Sequence, residues 1–360
     1  MGLLKMSNIK KTTIQDIANY ANVSVGTIDR VIHNRGKVSP LKKKKIEEAI
    51  KLLDFNPNLL ARTLALGKQF RICSLFPEAK NSGNYWNLPK KGIEQVANTY
   101  RDFGIVLDSH EFSLFDESSF VEQAQVIAEK NPDGVILAPL FEKESQVFVE
   151  ILEAKNIPYI FIDAKIPDKK PLSYIGPDSR RSGFIAGKLL HSLLKEDDHI
   201  LIVNMAKGVK NSAHIGIVEE GFREFFESQK ENNNRKINAL TIPSTEEADV
   251  IRELTKYYIK NTAVKGVFVT NSRAHLISGF HKTHELDVKL VGFDLVEKNV
   301  EEMKADGIDF LISQSPVFQG TKAVQSLFDY FVYKKTPDKI QFVPLDIIIK
   351  ENVDFYINAQ

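Results

Sequence analysis

Four polar side chains close apolar runs. Asp163 ends Tyr-Ile-Phe-Ile-Asp, Asn271 ends Val-Phe-Val-Thr-Asn, Asp294 ends Leu-Val-Gly-Phe-Asp and Gln314 ends Phe-Leu-Ile-Ser-Gln. A carboxylate can accept from two adjacent hydroxyls and an amide both donates and accepts, so a converging set suits a polyhydroxylated ligand. Tyr85-Trp86 follows an earlier apolar run, and Trp86 could cover the apolar face of a sugar ring. Each of these residues alone could equally cap a helix or anchor a loop; the repeated placement is what points to a site.

Nothing in the spacing marks catalysis or a metal. No G-x-S-x-G elbow occurs, and no pair of acids stands out from ordinary cleft carboxylates. Gly183-Phe-Ile-Ala-Gly187-Lys188 has one residue too few between its glycines for a phosphate loop, and Leu189 stands where Ser or Thr is needed. No G-x-G-x-x-G follows the first body strand. His281 and His284 are spaced i,i+3 with no Cys or carboxylate shell near them in sequence, which reads as a surface pair. Cys73 is the single cysteine and lies inside Ile-Cys-Ser-Leu-Phe, so it reads as an inert strand thiol without an intrachain disulfide. No catalytic residue, metal or cofactor is expected, and the protein is not expected to be an enzyme.

The elements that must hold the polar set follow from the pattern around it. From Phe70 onward, strand-like and helix-like segments alternate in two successive sets, with strands at 71–76, 105–109, 134–138 and 159–163, then at 199–204, 238–242, 266–270 and 289–293. Late strands at 310–314 and 343–349 could return to complete both sets. Repeated βα units predict two parallel-sheet lobes with helices on both faces, and ligands of such sheets sit beyond the carboxyl ends of the strands.

The first 68 residues differ from the rest. They carry thirteen Lys and Arg against five Asp and Glu, whereas the remainder carries 35 against 42, so a basic head is joined to an acidic body. Such a head meets a polyanion or is simply a solvated basic surface. Thr12-Thr13 supplies an N-cap, and Ile14, Ile17, Ala18 and Ala21 recur at helical spacing. Asn22-Val23-Ser24 interrupts that helix, Ser24 can cap a second one, and Ser39-Pro40 begins a third. Two helices across a three-residue turn, braced by a third, describe a helix-turn-helix.

The segment Thr13-Ile-Gln-Asp-Ile-Ala-Asn-Tyr-Ala-Asn-Val-Ser-Val-Gly-Thr-Ile-Asp-Arg-Val-Ile-His-Asn34 closely resembles the head of the LacI/GalR repressors, and the likeness continues through Val38-Ser39 and residues 56–65. The resemblance implies DNA contacts by Thr13, Ser24, Val25, Gly26, Thr27, Arg30, Asn34, Asn58, Ala61 and Leu64. Val25 and Gly26 would open the recognition helix, and Arg30 would bind guanine or phosphate unless it forms an intrahelical ion pair. Residues 58–66 would form a hinge helix whose Leu64 wedges into the minor groove, or else packs on the body. Asp29 stands where a serine is common in the family, and Gly26 has no side chain to read a base, so the family's operator rules do not transfer.

The likeness extends weakly along the body and implies a type I periplasmic-binding-protein-like fold. By it, Asp163, Asn271, Asp294 and Gln314 match places that contact effector. Val218 stands where the family usually has an arginine, and His214 is a candidate substitute. The expected architecture is thus an all-α helix-turn-helix head (1–57), a hinge helix and linker (58–68), and an α/β body (69–360) of two doubly wound lobes. Lobe 1 is expected at 69–165 plus 315–340 and lobe 2 at 168–312 plus 343–358. The expected function is a sequence-specific DNA-binding transcriptional regulator, a repressor, controlled by a small polar ligand of the carbohydrate class through Trp86, Asp163, His214, Asn271, Asp294 and Gln314. Its partners would be a near-palindromic double-stranded DNA operator, the effector and a second copy in a homodimer, with no membrane. No apolar stretch approaches the ~18–20 residues of a membrane span, and residues 1–11 do not read as a signal peptide, so the cytoplasm is expected. The competing reading is a solute-binding or sugar-processing protein with an accessory DNA-binding head.

Overall fold

Thr13 opens the head through a reciprocal pair of bonds. Its side chain accepts from the Asp16 N–H at 3.3 Å while the Asp16 carboxylate accepts from the Thr13 N–H at 2.7 Å, a capping box that starts α1 (Ile14–Ala21). Asn22 ends that helix at φ 49°, where a short polar side chain tolerates the left-handed region. Ser24 then accepts from the Thr27 N–H at 3.3 Å and starts α2 (Val25–Ile32). Pro40 occupies the first position of α3 (Pro40–Leu52), although the preceding Ser39 makes no side-chain cap bond. Ile17, Ala18, Ala21, Ile28, Ile46 and Ala49 form the buried core between the three helices, whereas Ile14 stays exposed.

The structure, a computed structural model, describes residues 13–32, 36, 38–53, 69–79, 84–205, 213–229 and 235–359. Residues 1–68 and 69–360 form two separate compact units. The hinge-helix residues Asn58, Ala61 and Leu64, and also Asn34, lie outside the described residues.

The body holds two six-stranded sheets. The first contains β1 (Phe70–Pro77), β2 (Ile105–Phe112), β3 (Gly134–Leu137), β4 (Tyr159–Ile162), β5 (Ser173–Gly176) and β11 (Ile340–Phe342), in the order β11-β5-β4-β3-β1-β2. The second contains β6 (His199–Met205), β7 (Ile237–Ile242), β8 (Val264–Val269), β9 (Lys289–Phe293), β10 (Phe310–Ser313) and β12 (Asp346–Ile348), in the order β12-β10-β9-β8-β6-β7. Both follow the doubly wound sequence 2-1-3-4-5 with a sixth strand added at the edge. Every pair is parallel except β10 with β12, which is antiparallel.

Two lobe limits need correction. The strand Ser173–Gly176 pairs with β4 in the first sheet, so lobe 1 runs past residue 165, and the crossover into lobe 2 falls after Gly176 rather than at 168. The late strand of lobe 1 likewise reaches Phe342, through pairing with Tyr174–Gly176. Both strands are too short to show a period, and Pro171 and Pro177 flank the first of them.

Each lobe closes one face with a helix pair joined by glycine. In lobe 1 a Cβ on Gly320 would lie 2.0 Å from the Pro89 carbonyl oxygen, so helices Asn87–Thr99 and Pro316–Phe328 touch backbone to backbone. In lobe 2 a Cβ on Gly183 would lie 1.9 Å from the Val218 carbonyl oxygen, locking helix Ser179–His191 to helix Ala213–Ser228. Helices 179–191 and 316–328 follow the first two of three chain crossings, the third lying between Phe342 and Asp346, so those two crossings are each anchored by a close backbone contact in the lobe entered.

Candidate functional site

The strands' carboxyl ends face a cavity of about 1400 Å³ between the lobes. Asp163 and Asp294 occupy matching places in the two sheets. Each directly follows the third strand of its row, at φ 68° and 63°, and each N–H bonds the neighbouring strand, to Ile175 at 3.2 Å and Ile312 at 3.0 Å. Asp tolerates this backbone better than most residues because its short carboxylate can bond locally.

From there the two diverge. Asp163 lines the cavity and accepts from the Tyr85 hydroxyl at 2.6 Å. Asp294 is fully buried behind the wall. Its Oδ2 accepts from Ser272 Oγ at 2.7 Å and Gln314 Nε2 at 2.9 Å, and its Oδ1 accepts from the Gln314 N–H at 3.1 Å. The expected direct contact by Asp294 is therefore not what the geometry presents: its oxygens hold Ser272 and Gln314, which do line the cavity. Burial pushes its carboxyl up to about 7, against the lowering effect of those three hydrogen bonds. Burial, with the Asp163 and Asp294 carboxylates close by, also raises Tyr85 well above its ordinary value, so its hydroxyl is a donor at neutral pH.

Asn271 and Trp86 also line the cavity. The Asn271 amide donates to the Met205 carbonyl at 2.9 Å, and its Oδ1 is buried without a hydrogen-bond partner. Trp86 is buried, tilted against Phe76 and edge-on to Tyr85, so Tyr85 and Trp86 together make an aromatic wall to which Phe115 and Phe141 add. His214 falls on helix Ala213–Ser228, but its side chain lies outside the described residues. Val218 lines the cavity as an apolar, buried residue.

Sequence reasoning did not include Ser272, Arg273 and His275 in the candidate ligand site, and it offered Tyr85 only as part of an aromatic wall with Trp86, not as a hydrogen-bonding group. Arg273 lines the cavity at the start of helix Ala274–Thr283. His275 is fixed by Asn299 Oδ1 at 2.9 Å, and burial lowers its pKa. The signal for all four was position alone, since each is adjacent to, or within four residues of, a polar strand-end residue or Trp86.

Elsewhere in the body, Cys73 is buried, and burial raises its thiol to about 11. Its sulfur lies 4.0 Å from Asp108, which pairs with Lys130 at 2.8 Å and His110 at 3.3 Å, so an ammonium already neutralises this cluster. His281 and His284 do not converge: His281 bonds the Tyr258 hydroxyl and His284 the Phe280 carbonyl.

On the head, Ile28 is wholly buried while Val25, Gly26, Asp29 and Arg30 are exposed, giving the second helix a free face at i, i+1, i+4 and i+5. No Cβ placed on Gly26 would meet another atom within 4 Å. Arg30 forms no ion pair with any described residue, so its guanidinium is available for a partner. Thr13 and Ser24 are used as caps and remain exposed, and the Thr27 hydroxyl shares a hydrogen bond with that of Ser24. Lys42 to Lys45 are exposed on the third helix, where Lys43 lies 4.0 Å from Glu47.

Comparison with known proteins matches both halves. Residues 13–58 fit the family model for bacterial regulatory proteins of the lacI family, and residues 74–335 fit that for a periplasmic binding protein domain. The ribose operon repressor of Halalkalibacterium halodurans is 26% identical over 292 residues, covering 79% of this chain and 80% of that protein. A crystallised protein assigned as a LacI transcriptional regulator from Bacteroides fragilis is 31% identical with TM-score 0.73, covering 80% of this chain and 99% of the other. A glucose-galactose binding protein from Geobacillus stearothermophilus shares the fold at 20% identity and TM-score 0.68, covering 79% and 98%. The chain belongs to the lacI family of bacterial regulatory proteins, with that family's helix-turn-helix head and a periplasmic binding protein domain as its body.

Proposed function

We propose that the protein is a DNA-binding transcriptional repressor whose operator affinity is set by a small polyhydroxylated ligand held between the lobes of its body. The observation that carries this is one chain combining a lacI-family head, with Val25, Gly26 and Arg30 exposed on its second helix, and a large cavity at the carboxyl ends of both sheets lined by polar and aromatic side chains. The relatives are named as repressors and regulators, one of them of a ribose operon. Asp163, Tyr85, Asn271, Ser272 and Gln314 supply acceptors and donors for hydroxyls, and Trp86 a face for a ring.

In this reading two chains form a homodimer in the cytoplasm, and each head reads one half of a near-palindrome. No helix among the described residues is long and apolar enough to cross a membrane. Ligand binding alters the angle between the lobes, and the change reaches the head through residues 54–68, the only covalent route, where Asn58, Ala61 and Leu64 would meet the DNA. By linkage, a ligand that weakens DNA binding binds less well when DNA is present. The cleft binds its ligand without turning it over.

The test is selection of bound sites from random duplex DNA with the full chain. A near-palindromic sequence should emerge, and Arg30→Ala should abolish specific binding while leaving the fold intact. Failure to enrich any sequence, or unchanged affinity in the Arg30 variant, refutes the proposal.

A further inference from the structure

Arg273 stands out among the cavity-lining residues. It is partly buried, lines the cavity and makes no hydrogen bond or ion pair with any described residue. Burial is the only influence that moves its pKa, downward from the ordinary arginine value, so no carboxylate of the cavity comes near enough to oppose that cost. Desolvating a charge without a partner is unfavourable, and a site that keeps one does so for a group that arrives later. Two residues earlier, Asn271 Oδ1 is buried with no donor to satisfy it. A guanidinium lacking an acceptor among the described residues and an amide oxygen lacking a donor thus belong to one strand-to-helix turn.

Resting on the sugar-sensor reading above, we propose that the effector carries a carboxylate which Arg273 receives, with a neighbouring hydroxyl donating to Asn271, so that the protein senses a sugar acid. The planar guanidinium matches a carboxylate through two parallel N–H bonds, whereas a neutral hydroxyl uses only one. The charge is set to one unit by the surroundings. Among the described residues, Lys298 is the one cationic side chain that lines the cavity with Arg273, while Glu246, Glu247 and Asp116 also line it and disfavour a dianionic phosphate. Glu78, Glu117 and Glu297 line it as well but hold interactions of their own.

Trp86 is the single tryptophan and lies in the cavity wall, so its fluorescence reports binding in the full chain. The probes are D-glucuronate, D-galacturonate and D-gluconate, each beside its neutral parent hexose, with glucose 6-phosphate as a dianion. An acid should bind and raise the melting temperature where its parent does not. Arg273→Gln should weaken that acid by about 10- to 100-fold, the loss expected for a hydrogen bond to a charged group. The ligand-free melting temperature of Arg273→Gln should equal or exceed that of the wild type, because no hydrogen bond or ion pair with a described residue is lost. A neutral hexose binding as tightly as its acid, binding confined to the phosphate, or a Gln variant within twofold of wild type overturns the carboxylate and leaves the sensor standing. A lower ligand-free melting temperature in the variant shows that Arg273 serves a partner within the chain, and also overturns it. If no sugar of either kind binds, the sensor reading fails and the sugar acid with it.

Discussion

Replacing Asp294 by Asn should remove a pH dependence from the folding of the body. The wild-type carboxyl moves from its ordinary 3.8 to about 7 on folding, chiefly through burial. Between those limits the folded chain holds a proton that the unfolded chain has released, so stability falls as pH rises from about 4 to about 7 and levels off above. A shift of roughly 3 pH units at 1.36 kcal/mol each corresponds to about 4 kcal/mol across that window. Asn has the same shape, tolerates φ near 63° and cannot ionise. Its Oδ1 can still accept from Ser272 and Gln314 Nε2, but its NH2 would face the Gln314 N–H, a donor against a donor costing about 1–3 kcal/mol at every pH. The assay is denaturant unfolding of the full chain followed by Trp86 fluorescence, from pH 4 to 8, for both proteins. Wild type should be the more stable below pH 5, and its advantage should shrink or reverse by pH 8. A difference that stays flat with pH would refute the claim that burial of Asp294 governs its ionisation; one that grows with pH would show the opposite sign of shift.

Two further outcomes follow from packing in the body and capping in the head. Gly183→Ala forces a methyl to within 1.9 Å of the Val218 carbonyl, so helices 179–191 and 213–228 must part; unfolding should show a loss of about 1–3 kcal/mol or more, and an unchanged midpoint would contradict the close approach. Thr13→Ala removes one half of the capping box and should cost the head about 1 kcal/mol, read as faster amide exchange across residues 14–21.

The head was legible almost residue by residue because its signals are local. Thr13, Asn22, Ser24 and Pro40 each mark a helix boundary by their own chemistry, and Ile17, Ile28 and Ile46 fall on buried faces by spacing alone. The long strands were legible for the same reason: continuous apolar runs such as Ile200–Val203 are buried on both faces of a parallel sheet. Ser173–Gly176 and Ile340–Phe342 were not, since three or four residues carry no period and their partners lie far apart in sequence. Within the site, sequence could nominate the strand-end residues but not their depth. Asp163 and Asp294 look alike as text, yet one lines the cavity and the other is sealed behind Gln314 and Ser272. Arg273 escaped notice for the converse reason, because an arginine after a strand is ordinary until the described residues around it are seen to leave it without a partner.

That difference between two matching aspartates sets the polarity of the cavity. The lobes repeat one scaffold, with the same strand order, a left-handed Asp after the third strand of the row and a glycine-locked helix pair. Had both carboxylates faced the cavity, they would repel each other, and one would have to keep a proton. Lobe 1 instead keeps its carboxylate at the surface and fixes it with the Tyr85 hydroxyl. Lobe 2 withdraws its own and offers the Gln314 and Asn271 amides, Ser272 and the Arg273 guanidinium in its place. Of the two matching aspartates only that of lobe 1 thus offers its carboxylate to hydroxyls, while the cationic lining residues among those described, Arg273 and Lys298, come from lobe 2. A ligand with a hydroxylated edge and an anionic end satisfies both sides only when it lies across the cleft, with its hydroxyls toward Asp163 and its charge toward Arg273, and in that orientation its binding energy depends on how the two lobes are set.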